Sequence, residues 1–293
     1  MDALRQLDHW PVGTAAAAVL RHDGGHDGEK ASQASQASKV SQIGLSGDPE
    51  VPFRLASVSK TMSAYALLVA VEEGALALDD PAGPEGSTVA HLLAHASGLA
   101  FASSRVLARP GTRRIYSNAG FDELGRHLEQ VTDIPFATYL AEAVFVPLGM
   151  KAAALTGSPA FGVLATLADV TAFAAELLAP TLVSAATFEQ ATSVAFPGLH
   201  GVLPGFGAQN PNDWGLGFEI RGHKSPHWTA PTNSPRTFGH FGRSGTFLWV
   251  DPEASVACVA LTDRDFGEWA AAAWPELSAG VLAELGVRAD SGA

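Results

Sequence analysis

Ser57 and Lys60 stand three positions apart at the start of a long apolar run that reads as a helix. From Ser57 to Val71 the phenol of Tyr65 is the only other ionisable group. A helix that is apolar on every side is normally buried, and burial lowers the pKa of an amine because the charged form loses water. The positive end of the helix dipole acts in the same direction. Lys60 is therefore a candidate base for the Ser57 hydroxyl.

The same pair has a purely structural interpretation, in which Ser57 caps the helix and Lys60 extends to water. Serine is a favoured N-cap, but the reciprocal capping box has Glu or Gln three residues later, and a lysine there has the wrong sign for a helix start. A Ser-x-x-Lys pattern also arises by chance. The pair alone leaves both interpretations open.

Two further segments carry residues that could do chemistry. Tyr116-Ser117-Asn118 follows a Pro-Gly turn and precedes a predicted helix, for which Asn118 would be a fair N-cap. Gly239-His240-Phe241-Gly242-Arg243 precedes a predicted strand, and its glycines allow a close backbone approach to another group. The structural alternative for the second segment is a β-bulge with a surface histidine.

The elements that must position these residues are strands near both ends of the chain and helices between them. Residue patterns predict strands over 12–20, 39–45, 245–250 and 256–261, and helices over 57–73, 87–95, 121–131, 136–144, 167–178 and 268–285. The predicted class is α+β, with an antiparallel sheet of N- and C-terminal strands flanked by helices and an inserted helical lobe. We expect one domain over 1–293, with a sheet lobe of 1–61 plus 234–293 and a mostly helical lobe of 62–233.

Composition and charge limit the classes of molecule that the protein is expected to bind. The 293 residues are 47% hydrophobic with a formal net charge of -12, which argues against nucleic acid and anionic membrane surfaces as partners and favours a small molecule. The first residues lack the positive segment of a secretory signal, and no run approaches a membrane span. A cytoplasmic location is expected. A single cysteine, Cys258, excludes an intramolecular disulfide, and nothing in the sequence determines the oligomeric state.

In their order along the chain, these segments resemble the penicillin-recognising serine hydrolases, a group of class C β-lactamases, DD-peptidases and related esterases. The matching segments are distributed along most of the chain: 52–60, 71–74, 91–99, 110–112, 116–120, 147–150 and 239–242. The resemblance implies a β-lactamase/transpeptidase-like fold and no metal or organic cofactor.

The resemblance also implies roles for single residues. Ser57 would be the nucleophile that accepts an acyl group, with its proton shared by Lys60 and Tyr116. Asn118 would orient Lys60 or the substrate. The backbone N–H groups of Ser57 and Arg243 would form the oxyanion hole, and the Arg243 side chain could attract a substrate carboxylate.

One departure from the family pattern affects the substrate. Class C β-lactamases have Lys-Thr-Gly where this chain has His240-Phe241-Gly242. The lysine supplies a permanent positive charge for the carboxylate of a β-lactam, whereas histidine is mostly neutral at pH 7. Phe241 adds an apolar wall beside the substrate, and Trp214 or Trp228 could add another.

The leading function is therefore hydrolysis of small acyl esters through an acyl-enzyme on Ser57. A β-lactamase, a DD-carboxypeptidase or a D-amino-acid amidase is the alternative within the same chemistry, so the expected substrate is an ester, an amide or a β-lactam. A penicillin-binding sensor that acylates without hydrolysis is an alternative of another class. An unrelated alternative uses His22, His26, His91 and His95 as metal ligands.

Overall fold

The computed structural model describes residues 1–24 and 40–287. Residues 25–39, which include His26 and the first residue of the predicted strand 39–45, lie outside the described residues. None of the described helices is long and apolar enough to cross a membrane.

The strands in the described part of the chain form one large antiparallel sheet and three small ones. In chain order they are β1 (Ala15–His22), β2 (Val40–Ser46), β3 (Pro52–Arg54), β4 (Leu99–Ala100), β5 (Ser103–Val106), β6 (Ala154–Leu155), β7 (Val163–Thr166), β8 (Gly201–Leu203), β9 (Gly207–Gln209), β10 (Glu219–Ile220), β11 (Phe238–Gly242), β12 (Thr246–Asp251) and β13 (Val256–Thr262). The large sheet has the order β10-β11-β12-β13-β1-β2, so its N- and C-terminal strands meet at the β13–β1 pair. The predicted fold class is confirmed.

Most of the helices lie, along the chain, between the N-terminal and the C-terminal strands of the large sheet. They are α1 (Ser59–Glu72), α2 (Val89–Leu93), α3 (Asn118–Thr132), α4 (Phe136–Leu140), α5 (Leu167–Leu178), α6 (Ala185–Thr192) and α7 (Glu268–Glu284), and 3₁₀ segments cover Asp2–His9 and Ala56–Val58. A π-helical turn, Ala141–Phe145, extends α4. The lobe boundaries at 61/62 and 233/234 stay a prediction.

The inner strands β1 and β13 of the large sheet are buried on both faces, which explains why they read as continuous apolar runs rather than alternating ones. Side chains of a strand alternate between faces. In β1, Ala16, Ala18 and Leu20 join the larger apolar core, which includes residues of α1 and α5. Ala17 and Val19 face the second core, which contains residues of α7 and of the N-terminal 3₁₀ segment. The sheet is thus held between helical layers and gives β11 a rigid position.

Candidate active site

Ser57 lies on the 3₁₀ turn Ala56–Val58, directly before α1. The preceding residue, Ala56, has a φ of 47°, a left-handed conformation that is strained for a residue with a side chain and that concentrates at functional sites. The helix begins at Ser59, its N-cap is Val58, and no side chain caps it. The interpretation of Ser57 as a helix cap is therefore wrong.

Lys60 is fully buried in the first turn of α1. Its Nζ donates to Oδ1 of Asn118 at 2.7 Å and to the carbonyl oxygen of Ala160 at 2.8 Å, and it lies 3.4 Å from Oγ of Ser57. Burial lowers the pKa of Lys60 well below its ordinary value, and the negative charge of Asp122 opposes this only in part. The alternative of a lysine that extends to water is wrong, and the expected burial is confirmed.

Tyr116 also brings its hydroxyl within hydrogen-bond distance of Ser57. Its Oη donates to Oγ of Ser57 at 2.8 Å, and burial raises the pKa of this phenol well above its ordinary value. The N-cap of α3 is Ser117, whose Oγ accepts the N–H of Gly120 at 3.0 Å. Asn118 is thus the first residue of the helix rather than its cap, and its amide is available to Lys60.

His240 lies in β11 and is 3% exposed, so the surface-histidine alternative is wrong. Its Nδ1 donates to the carbonyl oxygen of Phe241 at 2.6 Å. A carbonyl only accepts hydrogen bonds, so Nδ1 carries the proton. Nε2 then has the free lone pair and lies 3.4 Å from Oη of Tyr116. Burial and the nearby Lys60 lower the pKa of His240 to about 3, and the ring is neutral at pH 7.

The end of β11 approaches the Ser57 turn closely because residue 242 is glycine. A Cβ on Gly242 would lie 2.3 Å from the carbonyl oxygen of Leu55 and 2.5 Å from Oγ1 of Thr246. The side chain of the next residue, Arg243, is 88% exposed, and its Nε lies 3.5 Å from Oδ2 of Asp265. Its guanidinium is therefore directed to the surface, while the residue itself lines the cavity beside Ser57.

Two cavities open on Ser57. The first, of about 310 Å³, is mostly apolar, and its walls include Phe101, Leu203, Pro204, Trp214, Phe241 and Phe266. The second, of about 580 Å³, is lined on the other side by residues that include Asn118, Phe161, Arg54 and Arg243. Trp214 is a wall, as one of the two alternatives predicted, whereas Trp228 packs behind Phe241 at a ring-centroid distance of 5.8 Å.

Sequence reasoning missed most of this wall, because segment 195–233 has no periodic pattern. It also missed a buried ionic cluster there, in which Glu219 accepts from Lys224, from Nε2 of His227 and from Nε1 of Trp228. The Glu219 side chain is 2% exposed and lines the first cavity. Charged residues inside a segment rich in Trp, Gly and Pro were the available signal.

Among the described residues, His22, His91 and His95 of the metal hypothesis do not form a common metal site. Nδ1 of His91 forms a hydrogen bond with Oγ1 of Thr88, and the His91 ring stacks on the ring of Phe196 at a centroid distance of 4.3 Å. His95 contacts Tyr116 and Trp214 instead, and His26 lies outside the described residues. Within 1–24 and 40–287, no group of three or more His, Cys, Asp or Glu could hold a metal ion.

Known proteins share this architecture. A β-lactamase of Mycobacterium bovis is 54% identical, with coverage of 97% of this chain and 99% of that one and a TM-score of 0.89. A hydrolase with promiscuous acyltransferase activity has a TM-score of 0.72 at 18% identity, over 95% of this chain and 96% of that one, which shows a common fold.

Among curated proteins, the D-alanyl-D-alanine-carboxypeptidase/endopeptidase AmpH of Escherichia coli is 26% identical over an alignment of 143 residues, with coverage of 36% of this chain and 37% of that protein. The match thus spans little more than a third of this curated relative. The β-lactamase family model, in contrast, matches residues 15–283. The chain therefore belongs to the β-lactamase family and is a serine hydrolase of the β-lactamase and penicillin-binding-protein type.

Proposed function

We propose that this protein hydrolyses small, neutral, apolar esters through an acyl-enzyme on Ser57. The observation that carries the proposal is the position of Oγ of Ser57 between Oη of Tyr116 at 2.8 Å and Nζ of Lys60 at 3.4 Å. A serine hydroxyl needs such a neighbouring base to become nucleophilic. The apolar cavity and the neutral His240 supply the substrate preference.

Hydrogen bonding assigns Lys60 as the base. A neutral amine has two N–H groups and one lone pair. The two short contacts of Nζ go to oxygens that accept, those of Asn118 and Ala160, and use both N–H groups. The lone pair is then left for the proton of Ser57. The lowered pKa of Lys60 favours the neutral amine that this role requires.

Tyr116 has the complementary role of proton donor. Its raised pKa makes a phenolate base unfavourable near neutral pH. In acylation, Oγ of Ser57 bonds to the carbonyl carbon while its proton passes to Lys60. As the C–O bond to the alcohol breaks, the leaving oxygen takes the proton of Tyr116, which the Lys60 ammonium replaces. Deacylation repeats these transfers with water as the nucleophile.

The developing oxyanion needs fixed donors, and we assign the backbone N–H groups of Ser57 and Arg243. The support is the close approach of β11 to the Ser57 turn, which only a glycine at position 242 allows. Loss of one such donor typically costs about 10²–10³ in kcat.

The substrate class follows from charge. His240 is neutral, the charge of Glu219 is partnered by Lys224, and the surrounding cavity wall is largely apolar. A carboxylate placed there would lose water without gaining a cation. An ester with an apolar acyl or alcohol group fits this cavity better than a β-lactam with its carboxylate.

A β-lactamase or D-amino-acid peptidase is the second candidate. It is favoured by the 54% identity to the mycobacterial β-lactamase and by the two arginines, Arg54 and Arg243, that line the second cavity. A non-hydrolysing penicillin-binding sensor is the third, and the complete Ser57, Lys60 and Tyr116 set weighs against it. The cytoplasmic location stays a prediction.

The test is hydrolysis of 4-nitrophenyl butyrate by the wild type, Ser57→Ala and Ser63→Ala. Ser63 is a matched control because it lies in α1 and donates to the carbonyl oxygen of Pro159, away from the cavities. We expect Ser57→Ala alone to abolish turnover; equal rates in all three refute the proposal. Turnover of a chromogenic cephalosporin at comparable rates favours the β-lactamase. A long-lived penicillin adduct on Ser57 without turnover, seen by mass spectrometry, favours the sensor.

A further inference from the structure

His95 has an unusual combination of burial, backbone strain and polarity. It follows α2, is 1% exposed and has a φ of 54°. Non-glycine residues adopt this left-handed conformation rarely, and it persists only where the surroundings impose it. A neutral apolar residue would fill such a position with less polar desolvation.

The contacts of His95 go to three consecutive residues around Tyr116. Its carbonyl oxygen accepts the N–H of Ile115 at 2.9 Å, and Nδ1 accepts the N–H of Ser117 at 3.2 Å. Its ring lies 4.5 Å from the ring of Tyr116. His95 therefore holds the backbone before and after Tyr116 as well as the phenol ring itself.

The hydrogen bond from Ser117 also fixes the tautomer. Because Nδ1 accepts, the ring proton of the neutral histidine lies on Nε2. This Nε2 is buried without a hydrogen-bond partner among the described residues, and the rings of Tyr116, Phe121 and Trp214 lie within 5.4 Å of the His95 ring. Burial lowers the pKa of His95 well below its ordinary value, so that Nδ1 stays an acceptor.

We propose that His95 is a positioning residue for proton transfer: it holds Tyr116 so that its hydroxyl reaches Ser57 and the leaving oxygen. This inference rests on the proposed hydrolase mechanism. The acceptor Nδ1 and the left-handed backbone are both required for this role. Asparagine satisfies both, because its Oδ1 is an acceptor near the position of Nδ1 and because it tolerates a positive φ. Leucine has nearly the same shape as asparagine and supplies no acceptor.

The test is a double-mutant cycle of His95→Leu and Tyr116→Phe, with His95→Asn as the matched control. For each variant, kcat and KM are measured with 4-nitrophenyl butyrate and with ethyl butyrate. Nitrophenolate leaves without a proton, whereas ethoxide requires one. A misplaced Tyr116 hydroxyl therefore slows acylation, which kcat/KM reports, more for the ethyl ester, whereas a general loss of structure lowers kcat/KM equally for both. Deacylation of the butyryl-enzyme is common to the two esters and does not enter kcat/KM. Thermal unfolding of every variant reports its folded fraction.

We expect His95→Leu to lower kcat/KM for ethyl butyrate by roughly 10–100-fold, with a smaller loss of kcat/KM for the nitrophenyl ester. In the Tyr116→Phe background the same change has an effect of less than about threefold, because both variants remove one function. His95→Asn stays within about threefold of the wild type. If His95→Leu does not fold, His95→Gln, whose acceptor lies one bond further from the backbone, takes its place with the same expectation.

Additive effects of the two changes overturn the inference, and so do equal losses of kcat/KM on both esters or a His95→Asn variant as slow as His95→Leu. A wild type that hydrolyses neither ester contradicts the proposed function instead. The two failures are therefore distinguishable.

Discussion

Replacement of Lys60 by methionine tests whether the buried amine is neutral in the folded protein. Methionine fills a similar apolar volume and never binds a proton. In the unfolded chain Lys60 is protonated up to a pKa of about 10.4, whereas in the folded chain burial lowers this pKa well below that value. Between the two pKa values the unfolded state binds one more proton than the folded state.

The sign and size of the effect follow from proton linkage. Because the unfolded state binds the extra proton, the wild type becomes less stable as the pH falls from about 10 towards the lowered pKa. The slope is about 1.4 kcal/mol per pH unit. Lys60→Met loses the hydrogen bonds to Asn118 and Ala160, which changes its stability by an amount that does not depend on pH. Because methionine binds no proton, the variant lacks the contribution of Lys60 to the slope. The stability of Lys60→Met relative to the wild type therefore rises by about 1.4 kcal/mol per unit of falling pH.

The assay is urea unfolding of both proteins at several pH values between 8 and 10. Contributions of other titrating groups are common to both proteins and largely cancel in the difference. Lys151→Met is the control, because an exposed lysine is solvated in both states and should give a flat difference. A flat difference for Lys60→Met as well would mean that Lys60 stays charged in the folded protein and would refute its assignment as the base.

Three further outcomes can be measured. Gly242→Ala should lower kcat by about 10²-fold, because its Cβ would lie 2.3 Å from the carbonyl oxygen of Leu55 and push β11 from the Ser57 turn. The control Gly267→Ala, whose Cβ has no neighbour nearer than 3.8 Å, should match the wild type. Equal rates for the two variants would contradict the packing argument. His240→Lys should lower ester turnover and raise the rate with a cephalosporin, since it adds a cation where the pKa of His240 is about 3; an unchanged ratio of the two rates would show that position 240 does not select the substrate. Leu203→Ser should reduce kcat/KM more for 4-nitrophenyl hexanoate than for the acetate, by about threefold for the buried methylenes that meet a polar wall; parallel losses would place the acyl chain in the second cavity.

The sequence determined the fold class and the candidate residues because both depend on local patterns. The apolar run after Ser57 predicts burial of Lys60, and the strand patterns at both ends predict a shared sheet. The order of the motifs around Tyr116 and His240 suffices to indicate the family. Helix ends were less accurate: α1 begins at Ser59 and Ser117 caps α3, because several neighbouring polar residues can each cap a helix and packing selects one.

Only the tertiary structure decided the environment of these residues. The neutral state of His240, the distances around Oγ of Ser57 and the apolar wall from segment 195–233 depend on contacts between residues far apart in the chain, which no local period records. The role of His95 is of the same kind. Its sequence spacing from His91 suggested a metal pair, yet its Nδ1 faces Ser117, 22 residues away. Sequence thus supplied the Ser57 and Lys60 pair, and packing set the protonation and geometry on which its chemistry depends.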